Sequence, residues 1–460
     1  MALGLVAFHL TAWILCHPFA LRPLFALLRR VRPVAVIGSS VLLANGADAR
    51  EVLKRFDDFT LGEVLSPRMT WGPFLLTIDW RDQHDRERAL FQSMVAPEAD
   101  VRRIRALAAK TCEQALAEAK QGYDGRRQID VVQQMCELVV VAIAESYFGI
   151  PTARADVAHT GRLLREIAGI AMVMPPQGSA RDARAKAAIA ELTHHIEETV
   201  GQRALRVVPA PLSPVDPAAS LLERLVTAAR ATDKPVWLDD DFVRRYVAGL
   251  AATGGATIVR ATTNALYEIL RRPRALRLAV AAAEALDQAE RAVVRFEGEG
   301  STSAGRRADA AALLGTRRDE LRQILYEGLR FRPMLPLLLR YTPRDTLLAK
   351  GTSRQRLIRA GMSVVAAPMA VMFDPAQFAA PGTFLHTRSL DDYVHFGFGP
   401  RTCFGKYVAD TAMLEIARSL LCLPGLTLAE GWGGTLDYDG PVANSLTLTF
   451  AQFQSSAQTG

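Results

Sequence analysis

One cysteine, Cys403, stands in a stretch whose composition suits the presentation of a thiolate. Around it the sequence reads His395-Phe396-Gly397-Phe398-Gly399-Pro400-Arg401-Thr402-Cys403-Phe404-Gly405, and a helix-like run from Lys406 to Leu421 follows. Glycines let backbone N–H groups approach a sulfur closely, and the positive end of a following helix stabilises a thiolate. Arg401 can pair with an acidic group, and the aromatic rings supply an apolar wall. The pattern predicts a thiolate ligand directed at a flat, apolar cofactor.

This stretch resembles the haem-binding loop of the cytochrome P450 family, Phe-x-x-Gly-x-Arg-x-Cys-x-Gly. The matching positions are Phe396, Gly399, Arg401, Cys403 and Gly405. The resemblance implies a bacterial-type, single-domain member that binds haem b (iron protoporphyrin IX), with Cys403 as the proximal iron ligand that favours O–O cleavage. The alternative is a buried cysteine in a chance glycine-rich turn, which five fixed positions in ten disfavour.

Further cofactor contacts follow from the same resemblance. His84 and Arg88 are four positions apart, so on a helix they share one face and can reach the same anionic group. The family has a helix with this spacing whose basic residues bind haem propionates, and Arg340 falls where it has a second propionate-binding arginine. A solvated, charged helix face is the alternative for His84 and Arg88.

The longest helix-like run, Asp239 to Arg272, contains the most informative departure from the family. The family places such a helix over the distal face of the haem, with the signature Gly-x-(Asp/Glu)-Thr, and the matching segment here is Gly254-Gly255-Ala256-Thr257. Thr257 is therefore the predicted catalytic residue, but the acid position holds alanine. Because cleavage of dioxygen consumes protons, either Thr257 and water suffice or the oxidant arrives as a peroxide. Arg260, one turn on, either faces the same cavity or turns to solvent or a neighbouring carboxylate.

Glu327 and Arg330 lie three apart on one helix face and can form a buried ion pair. They match the family's Glu-x-x-Arg motif, which holds the cysteine loop. In the family an arginine is the third residue of this network. Here Thr383 stands at its position, so Arg388 and His386 are the alternatives for the third residue.

The elements needed to position these residues are mostly helical. Apolar residues recur at three and four in 100–121, 130–148, 152–174 and 181–207, while Val34 to Leu43, Leu347 to Ala367 and Leu426 to Phe453 read as strands. With the resemblance, the sequence predicts a mainly α cytochrome P450 fold with a small β lobe. Residues 33–460 are expected to form a single domain, and Val208 to Pro217 and Gly298 to Gly305 are expected to be surface loops.

The chain has 460 residues, a net charge of +7 and a pI of about 9.3, with basic residues scattered along it. No nucleic-acid motif accompanies them, so nucleic acid is not an expected partner, although a basic patch could receive an acidic electron-transfer protein. The five cysteines show no disulfide or metal spacing, which favours a reducing, cytoplasmic compartment.

Residues 1–32 form an apolar N-terminal segment. Residues 1–21 carry no charge if histidine is neutral, and arginines follow at 22, 29, 30 and 32. Two alternatives are open: an anchor or other membrane contact at the cytoplasmic face, and a first helix packed on the domain.

The resemblance implies a monomeric haem-thiolate monooxygenase. It would insert one oxygen atom from O2 into a small apolar substrate (a fatty acid, terpenoid or other secondary metabolite), using electrons from ferredoxin and ferredoxin reductase or another donor. Ala256 and Arg260 motivate the alternative of a peroxide-driven peroxygenase or fatty-acid hydroperoxide isomerase. A haem-binding protein without catalysis is a further alternative.

Overall fold

The structure is a computed structural model, and it describes Trp13 and residues 17–66, 71–122, 125–150, 156–173, 175–297 and 304–452. Its α-helices are α1 (Leu21–Val31), α2 (Gly46–Lys54), α3 (Gly62–Leu65), α4 (Arg81–Ser93), α5 (Pro97–Ala117), α6 (Glu137–Ile143), α7 (Val157–Val173), α8 (Ala180–Ala204), α9 (Leu221–Ala229), α10 (Asp240–Leu270), α11 (Pro273–Glu297), α12 (Ala304–Phe331), α13 (Pro368–Met372) and α14 (Lys406–Leu421). Segments with π-helical hydrogen bonding, Val132–Cys136 and Ala144–Phe148, flank α6 on both sides.

The strands are short and lie in small sheets. They are β1 (Val34–Ile37), β2 (Ser40–Leu43), β3 (Lys120–Gln121), β4 (Arg127–Asp130), β5 (Leu338–Tyr341), β6 (Thr346–Leu348), β7 (Arg356–Ile358), β8 (Ser363–Ala366), β9 (Thr427–Leu428), β10 (Asp437–Asp439), β11 (Val442–Ser445) and β12 (Thr447–Phe450). One sheet has the order β1-β2-β8-β5 and another the order β3-β4-β12-β9; β6-β7 and β10-β11 form separate pairs. The expected mainly α fold with a small β lobe is confirmed.

Helix α10 crosses the interior and contacts helices on several sides, among them α7, α8, α12 and α14. Its N-cap is Asp239, whose side chain accepts from the N–H of Phe242 at 2.9 Å. Most of its side chains are buried in the main hydrophobic core, as the all-round apolar pattern of the run requires.

Most predicted elements are present with shifted ends. Helix α5 begins at Pro97, because proline is well suited to the first helical turn. Residue 130, which was expected to begin a helix, belongs to strand β4. The proline-rich stretch after Arg206 forms a loop, whereas residues 298–303 of the other expected loop lie outside the described residues.

Helix α1 packs on the domain. Leu21 and Phe25 are buried in a small cluster with Ala44 and residues of α13, and Arg29 donates to the carbonyl oxygens of Ala44 and Ala370. Within the part of the chain that is described, no helix combines the length and apolar character needed to cross a bilayer. Residues 1–12 and 14–16, on which the anchor alternative depends, lie outside it.

Candidate active site

The cysteine loop, residues 395–405, is a turn that only glycines permit. Gly397 and Gly399 have φ values of 78° and 77°, in the left-handed region. A Cβ on Gly399 would also lie 2.7 Å from the carbonyl oxygen of Leu53, so the loop approaches α2 more closely than a side chain allows. The Cys403 N–H donates to the Phe396 carbonyl at 2.9 Å, which closes the turn before α14 begins.

The loop is tied to two helices. The Nε2 atom of His395 lies 2.9 Å from the Tyr326 carbonyl oxygen on α12, and its ring stacks on that of Tyr393. Arg88 on α4 donates to the carbonyl oxygen of Thr402 at 3.1 Å. The position of the sulfur is thus fixed from both sides.

Cys403 is exposed, unlike Cys112 and Cys136, which are buried in the core. Desolvation by the surrounding protein nevertheless raises the pKa of its thiol, while the Gly405 N–H, Arg88 and Lys406 act to lower it. A sulfur that is accessible yet enclosed lies in a cleft within the molecule rather than on its outer surface.

Four basic side chains surround this part of the cleft: His84, Arg88, Arg340 and Arg401, which we call the cation cluster. Arg401 donates to the Asp79 carboxylate at 2.6 Å and to the Leu76 carbonyl at 3.0 Å. Burial lowers the pKa of His84, to which Arg401 and Arg88 also contribute. The structure therefore brings together the basic residues that the sequence singled out.

Arg340, on β5, is buried. Burial, followed by the neighbouring charge of Arg401, lowers its pKa to about 10. Its guanidinium donates to the Leu339 carbonyl at 2.8 Å, and among the described residues no carboxylate lies within 4.0 Å of it. A buried cation of this kind is stable only with an anion nearby.

A stripe of half-exposed residues runs along the middle of α10: Leu250, Thr253, Gly254, Thr257 and Ala261. These positions are spaced at intervals of three and four residues, so they share one helix face. A Cβ built on Gly254 would meet nothing within 4 Å. The face therefore borders open space inside the molecule, and we call it the open stripe.

Thr257, the predicted catalytic residue, lies in this stripe. Its hydroxyl donates to the carbonyl oxygen of Thr253 at 2.7 Å and lies 2.9 Å from that of Gly254. Ala256 points elsewhere, into a small buried cluster with Ala168 of α7 and Val442 of β11.

Arg260 is fully buried and donates to the Pro441 carbonyl oxygen next to β11, with its guanidinium over the Tyr438 ring. It does not turn to solvent. Because the β10-β11 hairpin holds its side chain, the structure does not support a role for Arg260 in binding an oxidant in the cleft.

Glu327 and Arg330 form the expected ion pair, with N–O distances of 2.7 and 2.9 Å and neither side chain exposed. Arg330 also donates to the carbonyls of Met372, Pro381 and Thr383. The third member is Arg388, whose Nε lies 3.5 Å from Glu327. This network joins α12 to the segment that leads into the cysteine loop.

A family model for cytochrome P450 matches residues 317–421, a range that contains both the Glu327–Arg330 pair and the cysteine loop. Residues 317–421 thus match the cytochrome P450 family, and the chain as a whole has the cytochrome P450 fold.

Solved structures of this family share the fold. The structure of CalO2 superposes with a TM-score of 0.68 at 24% identity, covering 93% of this chain and 95% of that one. The open form of the cytochrome P450 Eryk from S. erythraea gives a TM-score of 0.71 at 19% identity, with coverage of 95% and 98%. At these identities the likeness is evidence of the fold alone.

Two curated fungal relatives match short stretches. A bifunctional dioxygenase–epoxy alcohol synthase of Fusarium oxysporum is 32% identical over 79 residues, or 17% of this chain, and a linoleate diol synthase of Gaeumannomyces graminis is 40% identical over 63 residues, or 14%. The matched stretches are only 6% and 5% of the lengths of these relatives.

The cytochrome P450 cofactor, haem, fits the groups that line the cleft. Buried nitrogen atoms of two members of the cation cluster, Nε2 of His84 and Nε of Arg401, have no hydrogen-bond partner among the described residues. Together with Arg340 they form a cationic site for the propionate groups of a haem, which would also favour the protonated form of His84. The exposed Cys403 and the half-exposed Phe396 supply a ligand and an apolar wall.

Sequence reasoning missed two residues of this site. Asp79 accepts from the N–H groups of Leu61 and Gly62 as well as from Arg401, and the Tyr393 hydroxyl donates to Glu327 at 2.8 Å. Each acts on a partner far away in the chain, so no local spacing could have revealed it. The apolar segment 167–176 was expected to line the pocket; Ile167 and Ala168 are buried, and the side chains at 170–174 lie outside the described residues.

Proposed function

We propose that this protein is a haem-thiolate monooxygenase that inserts one oxygen atom from O2 into a small apolar substrate. The observation that carries the proposal is the combination of an exposed but enclosed Cys403 with a cation cluster suited to haem propionates. The open stripe on α10, with Thr257 in its middle, supports it because a substrate needs space beside a proton-handling group.

In this proposal Cys403 would hold haem b, Arg401, Arg340, His84 and Arg88 would bind its propionates, and Phe396 and Gly405 would shape the wall around the sulfur. Haem, when bound, supplies the redox-active iron at which oxygen is activated. The Gly405 N–H, by donating to the sulfur, stabilises the thiolate form of Cys403.

Thr257 would hold and move protons. Its hydroxyl donates to a helix carbonyl, and rotation about χ1 would direct the same O–H to a water molecule in the cleft. Leu250, two turns before it, and Ala261, one turn after it, are apolar and would contact substrate. This lining favours an apolar substrate such as a fatty acid or terpenoid.

We propose a separate electron donor, such as ferredoxin with its reductase, because the sequence shows neither a nicotinamide motif nor an iron–sulfur cysteine cluster. We further propose that the protein acts as a monomer in the cytoplasm. The exposed apolar face of α1 supports a contact with the membrane surface there.

A second candidate is a fatty-acid hydroperoxide isomerase or peroxygenase. Two observations favour it: position 256 lacks the family's acid, and the matched relatives are named as an epoxy alcohol synthase and a linoleate diol synthase. An enzyme that receives a hydroperoxide needs neither an electron donor nor a proton supply from solvent. The placement of Arg260 against Pro441 does not add to this candidate.

The experiment that separates the candidates is product formation by the haem-loaded protein with a panel of fatty acids and terpenoids. Each substrate is tested with NAD(P)H plus surrogate ferredoxin and reductase, with hydrogen peroxide, and with a lipid hydroperoxide. The monooxygenase requires turnover with the electron-transfer proteins. Turnover with peroxides alone would establish the second candidate, and binding of haem without turnover by any oxidant would indicate a protein without catalysis.

Thr257 is tested in the same assay with a matched control. Thr257→Ala removes a hydroxyl from the open stripe, whereas Thr262→Ala removes a fully buried one that donates to the carbonyl oxygen of Ile258 on the same helix. We expect product per electron consumed to fall about tenfold or more in Thr257→Ala, because a positioned proton donor contributes about 10²- to 10⁴-fold. An equal fall in both variants would remove Thr257 from its proposed role.

A further inference from the structure

A cavity lies outside the cleft, beneath the proline-rich loop that joins α8 to α9. Its volume is about 160 Å³, and it is enclosed by the loop between 208 and 216, by Met94 at the end of α4, and by one side of α9 with Ala231 beyond it. None of the described residues that line it belongs to the cysteine loop, the cation cluster or the open stripe. It is therefore a separate space, and we call it the loop cavity.

Hydrogen bonds near both ends fix the loop over this space. Near its start the Leu212 N–H donates to the Asp233 carboxylate at 2.7 Å, and near its end the Asp216 carbonyl accepts from Arg224 at 3.0 Å. Prolines at 209, 211, 214 and 217 restrict the backbone between and around these points. The loop is thus kept from closing a space of a size that protein interiors normally fill.

Arg224 lines the cavity but offers no free charge to a ligand. Its five N–H groups donate to both carboxylate oxygens of Asp100 and to the carbonyl oxygens of Met94, Asp216 and Pro217. The side chains of Arg224 and Asp100 are buried together, so their charges offset each other. The Asp216 carboxylate, the other charged group of the lining, is exposed to solvent. A charged ligand therefore gains nothing here, and the cavity suits an uncharged one.

The remaining side chains of the wall are apolar, apart from the hydroxyl groups of Ser213 and Thr227. About five water molecules would fill the cavity at about 30 Å³ each, and each of them needs two to four polar partners. A wall of this kind supplies those partners only in part, so an apolar molecule that displaces such water gains affinity. The two hydroxyls can form hydrogen bonds with a single polar group on that molecule.

We propose that the loop cavity binds a small, uncharged aromatic molecule of one ring that carries at most one polar group, such as a phenol. An apolar cavity of about 150 Å³ accommodates benzene, so the size suits one ring. The buried side chain of Met94 favours an aromatic ligand, because a thioether makes attractive contacts with aromatic rings. This site does not depend on the proposed function, since binding requires no turnover.

The test is a calorimetric titration of phenol into the haem-loaded protein after its cleft has been saturated with 4-phenylimidazole. This molecule binds haem iron, which its absorption spectrum reports, and its two rings make it too large for the loop cavity. We expect one phenol to bind per wild-type protein under these conditions. If no phenol binds once the cleft is occupied, the proposed site is wrong.

Variants at the wall locate the bound phenol. Ala228 and Ala231 are buried and line the cavity, so Ala228→Leu and Ala231→Leu place larger side chains in it. Each should weaken phenol binding about tenfold or more, because one methylene too many in an apolar pocket costs about 10- to 200-fold. Ala218→Leu, at an exposed alanine of the same loop outside the lining, is the matched control and should bind phenol like wild type. Equal binding by all four proteins would place the phenol elsewhere.

Unfolding temperatures test whether the space is open in solution. Phenol should raise the unfolding temperature of wild type, because a ligand stabilises the state that binds it. Without phenol, Ala228→Leu and Ala231→Leu should unfold at the temperature of wild type or above it, since a side chain that fills a cavity is stabilising. A lower unfolding temperature in both variants would show that these alanines border packed atoms, and it would overturn the proposal.

Discussion

At the scale of single residues, the thiol of Cys403 is held in surroundings that disfavour its ionisation until a metal binds it. Desolvation raises the pKa of the thiol, and the Gly405 N–H, Arg88 and Lys406 offset only part of that effect. Because a metal ligand must be deprotonated, haem binding should release a proton. The affinity of the haem-free protein for haem should therefore rise about tenfold per pH unit until the pH reaches the pKa of the thiol.

Haem titrations at several pH values test this expectation. Cys403→Ser should abolish the pH dependence and the thiolate-type absorption spectrum, since a serine hydroxyl does not ionise in this range. Cys422→Ser, at a half-buried cysteine on the end of α14, is the control and should behave as wild type. A pH-independent affinity of the wild-type protein would contradict the argument.

His395 gives a second prediction at this scale. Burial lowers its pKa from 6.5 to about 3, so the folded protein keeps the ring neutral where the unfolded chain protonates it. The unfolded state then binds more protons, and this residue's contribution to stability is present above pH 6.5 and is lost as the pH falls towards 3. The free energy of unfolding of the haem-loaded protein should change by up to about 1.4 kcal/mol per pH unit from this residue alone.

Denaturant unfolding between pH 7 and pH 4 measures that slope. His395→Gln should flatten it by up to one proton, whereas His194→Gln, on the exposed side of α8, should not change it. An unchanged slope in His395→Gln would mean that the ring is not the neutral donor that ties the loop to Tyr326.

Functional residues could be predicted from the sequence where they and their partners lie within one short stretch of the chain. Cys403, Gly399 and Arg401 share a loop, and the Glu327–Arg330 pair shares a helix face, so type and spacing reveal them. Asp79 and Tyr393 were not found, because each acts on a partner from another element, Arg401 and Glu327. Only the packing of those elements makes the pairs.

At the scale of elements, helix α12 carries ion pairs of the same spacing, three residues apart, that differ in burial. Glu327 and Arg330 are fully buried, whereas Arg317 and Glu320 are 37% and 40% exposed. Removing one partner of a buried pair leaves an uncompensated charge and costs about 3 to 5 kcal/mol. An exposed pair contributes about 0.3 to 0.5 kcal/mol, because water screens it.

Glu327→Gln should therefore lower the free energy of unfolding by several kcal/mol, and Glu320→Gln should hardly change it. Thermal and denaturant unfolding of the haem-loaded variants provide the comparison. Since Tyr393 and Leu385 also donate to Glu327, the buried variant should loosen the approach to the cysteine loop and weaken haem binding as well. Equal losses in the two variants would show that burial does not set the strength of these pairs.

Helices and strands were predicted well where periodicity extends over several turns. The strands around Ser40 and the helix over the cleft were identified because β-branched residues and an all-round apolar run are strong local signals. The π-helical segments beside α6 were not foreseen, because a one-residue change in hydrogen-bond register leaves the apolar pattern almost unchanged.

At the scale of the whole molecule, α1 has two apolar faces, and the domain covers one of them. Phe25 is 2% exposed against α13, whereas Leu24, Leu27 and Val31 are 42%, 58% and 68% exposed on another face. Arg30 and Arg32 are exposed beside them, as is Ile37 on β1. An apolar stripe flanked by arginines suits the surface of an anionic membrane, and the buried face keeps the helix attached to the domain.

The attachment and the membrane contact make separable predictions for the two faces. Phe25→Ala should lower the free energy of unfolding by about 3 to 5 kcal/mol, as expected for a buried phenylalanine. Leu27→Glu should leave stability almost unchanged but weaken flotation with anionic vesicles about tenfold or more, because it removes the burial of one leucine in the lipid interface. Leu313→Glu, at a leucine of similar exposure on α12, is the control for an added charge and should float like wild type. If the wild-type protein does not float, or if Leu27→Glu floats equally well, the exposed stripe of α1 is not a membrane contact and the helix serves only to cover α13.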